Sequence, residues 1–151
     1  MFDLGLKDKV ILITGGSDGL GYASAELLSY EGAKVIICGR RGDYLNEKAN
    51  IITEKTNNNV VAIQADVSKA DDCKRLVEDT ILKFKKIDIL VNNAGASAAA
   101  LFEDVSDKNW EDDINLKLMS TIRMCRLVIP YMKSNDKGVI INATIGGGKA
   151  P

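Results

Sequence analysis

Four glycines fall inside the octapeptide Thr14-Gly15-Gly16-Ser17-Asp18-Gly19-Leu20-Gly21. Glycine is costly in backbone entropy, so such a cluster answers a steric or conformational demand. Phosphate binding makes that demand. One glycine permits a tight turn, another lets the backbone approach a pyrophosphate, and another lets a helix pack closely on a strand. A helix that starts in such a turn presents free N–H groups and its positive dipole end to an anion. Without a ligand the same residues are only a flexible connection, and a lone G-x-G-x-x-G carries little weight.

Other residue types exclude chemistry. There is no histidine in the 151 residues, so a His base or His metal ligand is ruled out within this stretch. The three cysteines, Cys38, Cys73 and Cys125, are odd in number and widely spaced. They make no disulfide or zinc framework, no metal site is expected, and a reducing cytoplasm fits. Cys38 lies in an apolar run and reads as core filler rather than a nucleophile. The formal net charge of −1 gives no attraction to nucleic acid or to an anionic membrane. No apolar run approaches the roughly 20 residues that span a bilayer. The N-terminus, MFDLGLKDKV, lacks a basic leader with an apolar core.

The glycine turn needs a strand before it and a helix after it, and the chain supplies both. Apolar, β-rich runs over residues 9–14, 34–38, 60–64, 87–92 and 138–143 predict five strands. Helical patterns occupy residues 19–31, 43–56, 69–84 and 107–134, and Pro130 should kink or shorten the last. Most strand runs are apolar throughout, as expected where helices cover both faces. Ser68 stands where a helix N-cap would, with acids in the following turn, and Gly32 stands where a helix would stop. The β-α-β alternation predicts an α/β, Rossmann-type, doubly wound parallel sheet with right-handed crossovers. Residues 1–151 read as a single domain that stops in a glycine-rich loop with a sheet edge uncovered, so the C-terminal side is expected to be incomplete.

The spacing Gly15-x-x-x-Gly19-x-Gly21 resembles the short-chain dehydrogenase/reductase family. Further segments agree in order. Asp66 in QADVS is similar to the family's adenine-contacting Asp. LVNNAG, residues 90–95, is similar to its Asn-Asn-Ala-Gly motif. NWEDDINLKLMSTI resembles the helix that carries the Asn of its catalytic tetrad, here Asn115, and GVIINAT resembles its fifth strand. The resemblance covers the whole chain. It implies cofactor contacts from Gly15, Ser17, Asp18, Gly19, Leu20, Gly21, Arg40, Asp66, Val67, Asn93, Ala94 and Gly95. It implies catalytic contributions from Asn115 and Thr144. Plainer roles stay open beside these: Asp66 as a helix-leading acid, Asn92 and Asn93 as strand-end caps, and Asn115 as a solvent-facing neighbour of the stripe Ile114, Leu118 and Ile122. Asp112 and Asp113 read as a solvated face and Trp110 as core.

An acid at the end of the second strand favours NAD, and an arginine there favours NADP. Gly39 stands at the acid's position, followed by Arg40 and Arg41. A charge-assisted hydrogen bond contributes about 1.5–3 kcal/mol, roughly 10- to 150-fold in affinity. Asp18 counts the other way, because many NADP-binding members carry a basic residue just before the second glycine. NADP is expected, with NAD as the alternative.

The resemblance implies hydride transfer between nicotinamide and a small-molecule carbonyl or alcohol substrate. In the family a Tyr transfers the proton, a Lys tunes it and a Ser orients the substrate oxygen. Tyr30 with Lys34 and Tyr44 with Lys48 match Tyr-x-x-x-Lys by chance, too early in the fold. The family's own motif would follow Pro151, so a chain ending there is expected to lack reductase activity. Ile145 stands at the Ser position, with Thr144 adjacent. A catalytically inactive dinucleotide-binding or regulatory module is the alternative function. The apolar surface of residues 107–134 predicts a homo-oligomer, a tetramer or dimer. A cytoplasmic location is expected.

Overall fold

β1 (Val10–Thr14) is buried along its whole length. Alternate residues point to opposite faces, which sets up two cores. Val10 and Leu12 pack with Cys73, Leu76, Met124 and Val128 on one side. Ile11 and Ile13 pack with Ala25, Leu45, Ala49 and Ile52 on the other. A strand this apolar therefore needs helices on both faces, and the computed structural model, which describes residues 4–96 and 100–144, provides them.

The elements follow in the order α1 (Gly19–Tyr30), β2 (Lys34–Gly39), α2 (Gly42–Thr56), β3 (Val61–Gln64), α3 (Ala70–Phe84) and β4 (Ile89–Asn92). A short 3₁₀ turn (Phe102–Asp104), α4 (Asp107–Ile114), a π-helical turn (Asn115–Met119), α5 (Ser120–Ser134) and β5 (Val139–Asn142) complete them. The five strands form one sheet in the order β3-β2-β1-β4-β5, parallel throughout. The chain builds outward from β1 to β3 and then returns to lay β4 on the other side of β1. Strand order reverses between β1 and β4, and in open parallel sheets that is where ligands bind.

The strands and the first three helices match their sequence assignments to within two residues at each end. Three details differ. Residues 107–134 are not one helix but α4 and α5 joined by the π turn. The Ser120 and Thr121 hydroxyls donate back to the Leu116 and Lys117 carbonyls in that turn. Such back-bonding is a known cause of local helix distortion. Pro130 causes no break: it lies on the exposed side of α5, where water is able to take the carbonyl its ring cannot serve, and the helix runs on to Ser134. Ser68 is not an N-cap. α3 begins at Ala70 after Lys69 without a side-chain cap, and the Ser68 hydroxyl donates to Asp66 Oδ1 at 2.7 Å instead. Among the described residues, no helix is long and apolar enough to cross a membrane.

Candidate functional site

A cavity of about 680 Å³ opens at the carboxyl ends of β1, β2, β3 and β4. The glycine turn forms its floor. Gly15 has φ +67°, and a Cβ there would sit 2.9 Å from Ala94 Cα. A Cβ on Gly21 would sit 2.2 Å from the Gly15 carbonyl oxygen and 2.6 Å from Asn93 Nδ2. The turn therefore lies hard against the loop after β4, and no side chain fits between them.

Asn93 fixes that loop. Its Nδ2 donates to the Thr14 and Gly15 carbonyls at 3.1 Å each. Thr14 Oγ1 accepts the Asn93 and Ala94 N–H groups at 3.0 Å each. Asn92, one residue earlier and buried, donates to Asn142 Oδ1 at 2.9 Å and holds β4 to β5. Both asparagines serve the scaffold, and the cavity meets the loop at Asn93, Ala94 and Gly95.

α1 starts at the cavity with no side-chain cap: Asp18 precedes it, yet makes no capping hydrogen bond. The Tyr22 N–H donates to the Asp18 carbonyl at 3.2 Å. The N–H groups of Gly19 and Leu20, residues that line the cavity, come before that first helical bond and lie at the helix's positive end.

At the β3 end, Asp66 and Val67 line the cavity. Asp66 Oδ1 accepts the Ser68 N–H at 3.1 Å as well as its hydroxyl. The Asp66 N–H donates to Asp72 Oδ2 at 2.7 Å, so the loop is held in place. Asp66 Oδ2 has no hydrogen-bond partner among the described residues. Arg123, on α5, donates to the Ser68 carbonyl at 2.8 Å and to Asn115 Oδ1 at 3.2 Å.

The β2 end supplies charge. Arg40 and Arg41 line the cavity beside Gly39. Arg41 Nη2 lies 2.6 Å from Asp18 Oδ2. Arg40 makes no side-chain hydrogen bond or ion pair among the described residues. Cys38 closes the wall, and burial pushes its thiol up to about 12, so it stays protonated.

Eleven of the twelve expected cofactor residues line this one cavity; Gly21 is the exception, buried beneath the turn it permits. The sequence reading missed Cys38, Gly39, Arg41, Ala65 and Leu116 as lining residues. The strand-end position of the first three was the available signal. Leu116 had none, because its place depends on the π turn.

A second cavity, about 520 Å³, adjoins through Leu116 and is lined by Ala96, Ala100, Phe102, Val105, Asn109, Trp110, Asp112 and Asp113. Trp110 is therefore not core: 41% of it is exposed, and its ring stands 5.8 Å from that of Phe102. Neither Asn115 nor Thr144 lines either cavity. Asn115 is half-buried with its side-chain Oδ1 taken by Arg123, and Thr144 is exposed beyond β5. Ile145 lies outside the described residues.

The family model for short chain dehydrogenases matches residues 9–151. The 11-beta-hydroxysteroid dehydrogenase 1A of Arabidopsis thaliana is 37% identical over 153 residues, covering 100% of this chain and 44% of that protein. Among solved structures, L-sorbose reductase from Gluconobacter frateurii, complexed with NADPH and L-sorbose, superposes with TM-score 0.89 at 34% identity, covering 93% of this chain and 54% of that one. A 7 alpha-hydroxysteroid dehydrogenase complexed with NADH and 7-oxo glycochenodeoxycholic acid gives TM-score 0.91 at 28% identity, covering 97% and 56%. The chain spans about half the length of the relatives it matches.

Proposed function

The chain belongs to the short chain dehydrogenase family, and from that premise we propose that it binds a nicotinamide dinucleotide, NADPH in preference to NADH, in the larger cavity, for hydride transfer to or from a small-molecule carbonyl or alcohol carbon. The observation that carries the reading is the α1 N-terminus. It is uncapped, it opens onto the cavity, and it sits beneath a turn too tight for any Cβ at Gly21. That cradle suits a pyrophosphate.

The remaining residues fit the rest of a dinucleotide. Asp66 Oδ2 is free to accept from an adenine amino group, with Val67 beside it. The Arg40 guanidinium stands beside Gly39, where an acid would favour an unphosphorylated ribose, and it suits a 2′-phosphate. The bound dinucleotide supplies or takes the hydride. Ala94, Gly95 and Leu116 shape the space between the two cavities, and the second cavity, walled by Trp110 and Phe102, admits an apolar substrate body. Asn115 and Thr144 remain the proposed catalytic contributors from this part of the chain.

We further propose assembly through α4 and α5. Met124, Val128 and Met132 are buried against the sheet, while Ile114, Leu118, Ile122 and Ile129 stay 37–56% exposed along the other side. A soluble helix pair has no need of that second apolar face unless it is covered, which a second copy does. Three free cysteines suit a cytoplasmic location.

A binding module without turnover is the second reading, and one observation favours it: Arg123 occupies Asn115, and neither Asn115 nor Thr144 reaches a cavity. Absorbance assays of the protein as its gene encodes it, with NADPH and a panel of ketoses, steroid ketones and 3-oxoacyl thioesters, separate the two. Dinucleotide oxidation that depends on the ketone supports the oxidoreductase. Tight dinucleotide binding with no turnover on any of them supports the module.

A further inference from the structure

Arg123, in the first turn of α5, holds two separate segments with one guanidinium. Nη1 donates to the Ser68 carbonyl at 2.8 Å, and Nη2 donates to Asn115 Oδ1 at 3.2 Å. Both acceptors are neutral oxygens, and Arg123 makes no ion pair among the described residues. A guanidinium is a planar fork with fixed N–H directions, so two neutral acceptors make it a link of defined geometry rather than a charge partner. Each segment it joins belongs to a cavity wall. Ser68 follows Asp66 and Val67, which line the larger cavity, and binds Asp66 Oδ1 through both its N–H and its hydroxyl. Asn115 opens the π turn, and the next residue, Leu116, lines both cavities.

We propose that Arg123 is a positioning residue that couples the two cavities: it ties the π turn to the Asp66 loop, so that a nucleotide seated at the β3 end fixes one wall of the second cavity. The proposal rests on the dinucleotide reading of the larger cavity and not on turnover. A nucleotide that takes Asp66 Oδ2 adds a contact to the loop. Two hydrogen bonds join Ser68 to Asp66, so the constraint passes to the Ser68 carbonyl, and Arg123 carries it on to Asn115. The π turn is the segment able to respond. Such turns are rare and depart from the α-helical register around them. Here the Ser120 and Thr121 hydroxyls hold the Leu116 and Lys117 carbonyls in the distorted form. Tied through Asn115, the turn keeps Leu116 between the cavities; released, it relaxes toward α-helix and carries Leu116 with it. α4 runs directly into the turn and bears Trp110, which lines the second cavity. Trp110 is the only tryptophan in the 151 residues, so it reports on that wall.

Quenching of Trp110 fluorescence by acrylamide tests the link in the protein as its gene encodes it, with ADP as the probe and Trp110→Phe as the blank. ADP carries the adenine and two phosphates but no nicotinamide, and excitation at the red edge of the indole band avoids adenine absorbance. Saturating ADP is expected to lower the quenching of Trp110 in the wild type. Arg123→Met, which keeps an apolar stem and removes the fork, should bind ADP within about tenfold of wild type and lose that change in quenching. Asn115→Ala cuts the link only on the π-turn side; it should bind ADP within about twofold of wild type and lose the change as well. Where Arg123→Met fails to fold, Asn115→Ala decides. A clamp that merely stabilises the fold would lower the unfolding midpoint and leave the response to ADP in place. A response that persists in either folded variant, or a wild type that binds ADP with no change in quenching, overturns the proposal and leaves the dinucleotide reading standing. A wild type that does not bind ADP overturns the proposal too, and the dinucleotide reading falls with it only if NADPH also fails to bind.

Discussion

Asn93 and Thr14 lock the carboxyl ends of β4 and β1 together from both sides. Asn93 Nδ2 reaches the Thr14 carbonyl at 3.1 Å, and Thr14 Oγ1 accepts the Asn93 N–H at 3.0 Å. Thr14 is 2% exposed. Thr14→Val keeps the shape of the side chain but leaves two N–H groups, those of Asn93 and Ala94, without an acceptor. Each unsatisfied group costs about 1–3 kcal/mol, so the two together predict a loss of about 2–6 kcal/mol in urea unfolding. Thr14→Ser keeps the oxygen and should lose less than half as much. Equal losses would mean that the methyl packing matters rather than the hydrogen bonds.

Gly21 and Gly95 make a second contrast. A Cβ on Gly21 meets the Gly15 carbonyl oxygen at 2.2 Å, whereas a Cβ on Gly95 meets nothing within 4 Å among the described residues. Gly21→Ala is expected to push the turn off the β4 loop and to abolish dinucleotide binding. Gly95→Ala should leave the unfolding midpoint unchanged. Circular dichroism together with nucleotide titration reads both effects, and native affinity in Gly21→Ala contradicts the tight-turn explanation.

These contrasts show how much was legible from the chain. The alternation of apolar runs and helical patterns sufficed for the sheet, because strands buried on both faces carry a strong one-dimensional signal. The glycine turn was legible because its backbone demands restrict residue type, whereas Asp66 and the Asn93 loop were singled out by their resemblance to family motifs. The π turn at Asn115–Met119 was not, since its residues keep a helical apolar pattern and the back-bonding of Ser120 and Thr121 has no distinctive spacing. Trp110, read as core, instead walls a cavity beside Phe102. The Asp18–Arg41–Tyr44 cluster joins the glycine turn to the start of α2 through side chains 23 and 26 residues apart, and no local pattern marks such a meeting.

Cys38 tests the character of the cavity wall. Burial raises its thiol to about 12 in the folded chain. Unfolding returns it to about 8.5. A maleimide at about pH 8 should therefore leave Cys38 unlabelled in the native protein and label it in denaturant, as read by peptide mass spectrometry. Rapid native labelling of Cys38 contradicts a closed, apolar wall.

Asp88 links the start of β1 to acid stability. Its Oδ2 accepts the Val10 N–H at 2.8 Å and the Lys86 ammonium at 2.8 Å, and its side chain is 12% exposed. Burial pulls its pKa up, but Lys86, the Val10 N–H and Lys9 outweigh burial and hold it below the ordinary value. A depressed folded pKa gives stability that is present above the unfolded value, about 3.9, and lost as pH falls through the folded one. Asp88→Asn should cost about 1–3 kcal/mol at neutral pH and flatten the acid side of the stability profile. An unchanged slope below about pH 4 contradicts the assignment.

The most direct measurement is a calorimetric titration of the full chain with NADPH and with NADH, repeated on Arg40→Ala. One saturable site per chain is predicted, tighter for NADPH. Arg40→Ala should weaken NADPH about tenfold or more while leaving NADH within about twofold. No saturable binding of either dinucleotide, or an Arg40→Ala variant that binds NADPH as the wild type does, would contradict the assignment of the cavity.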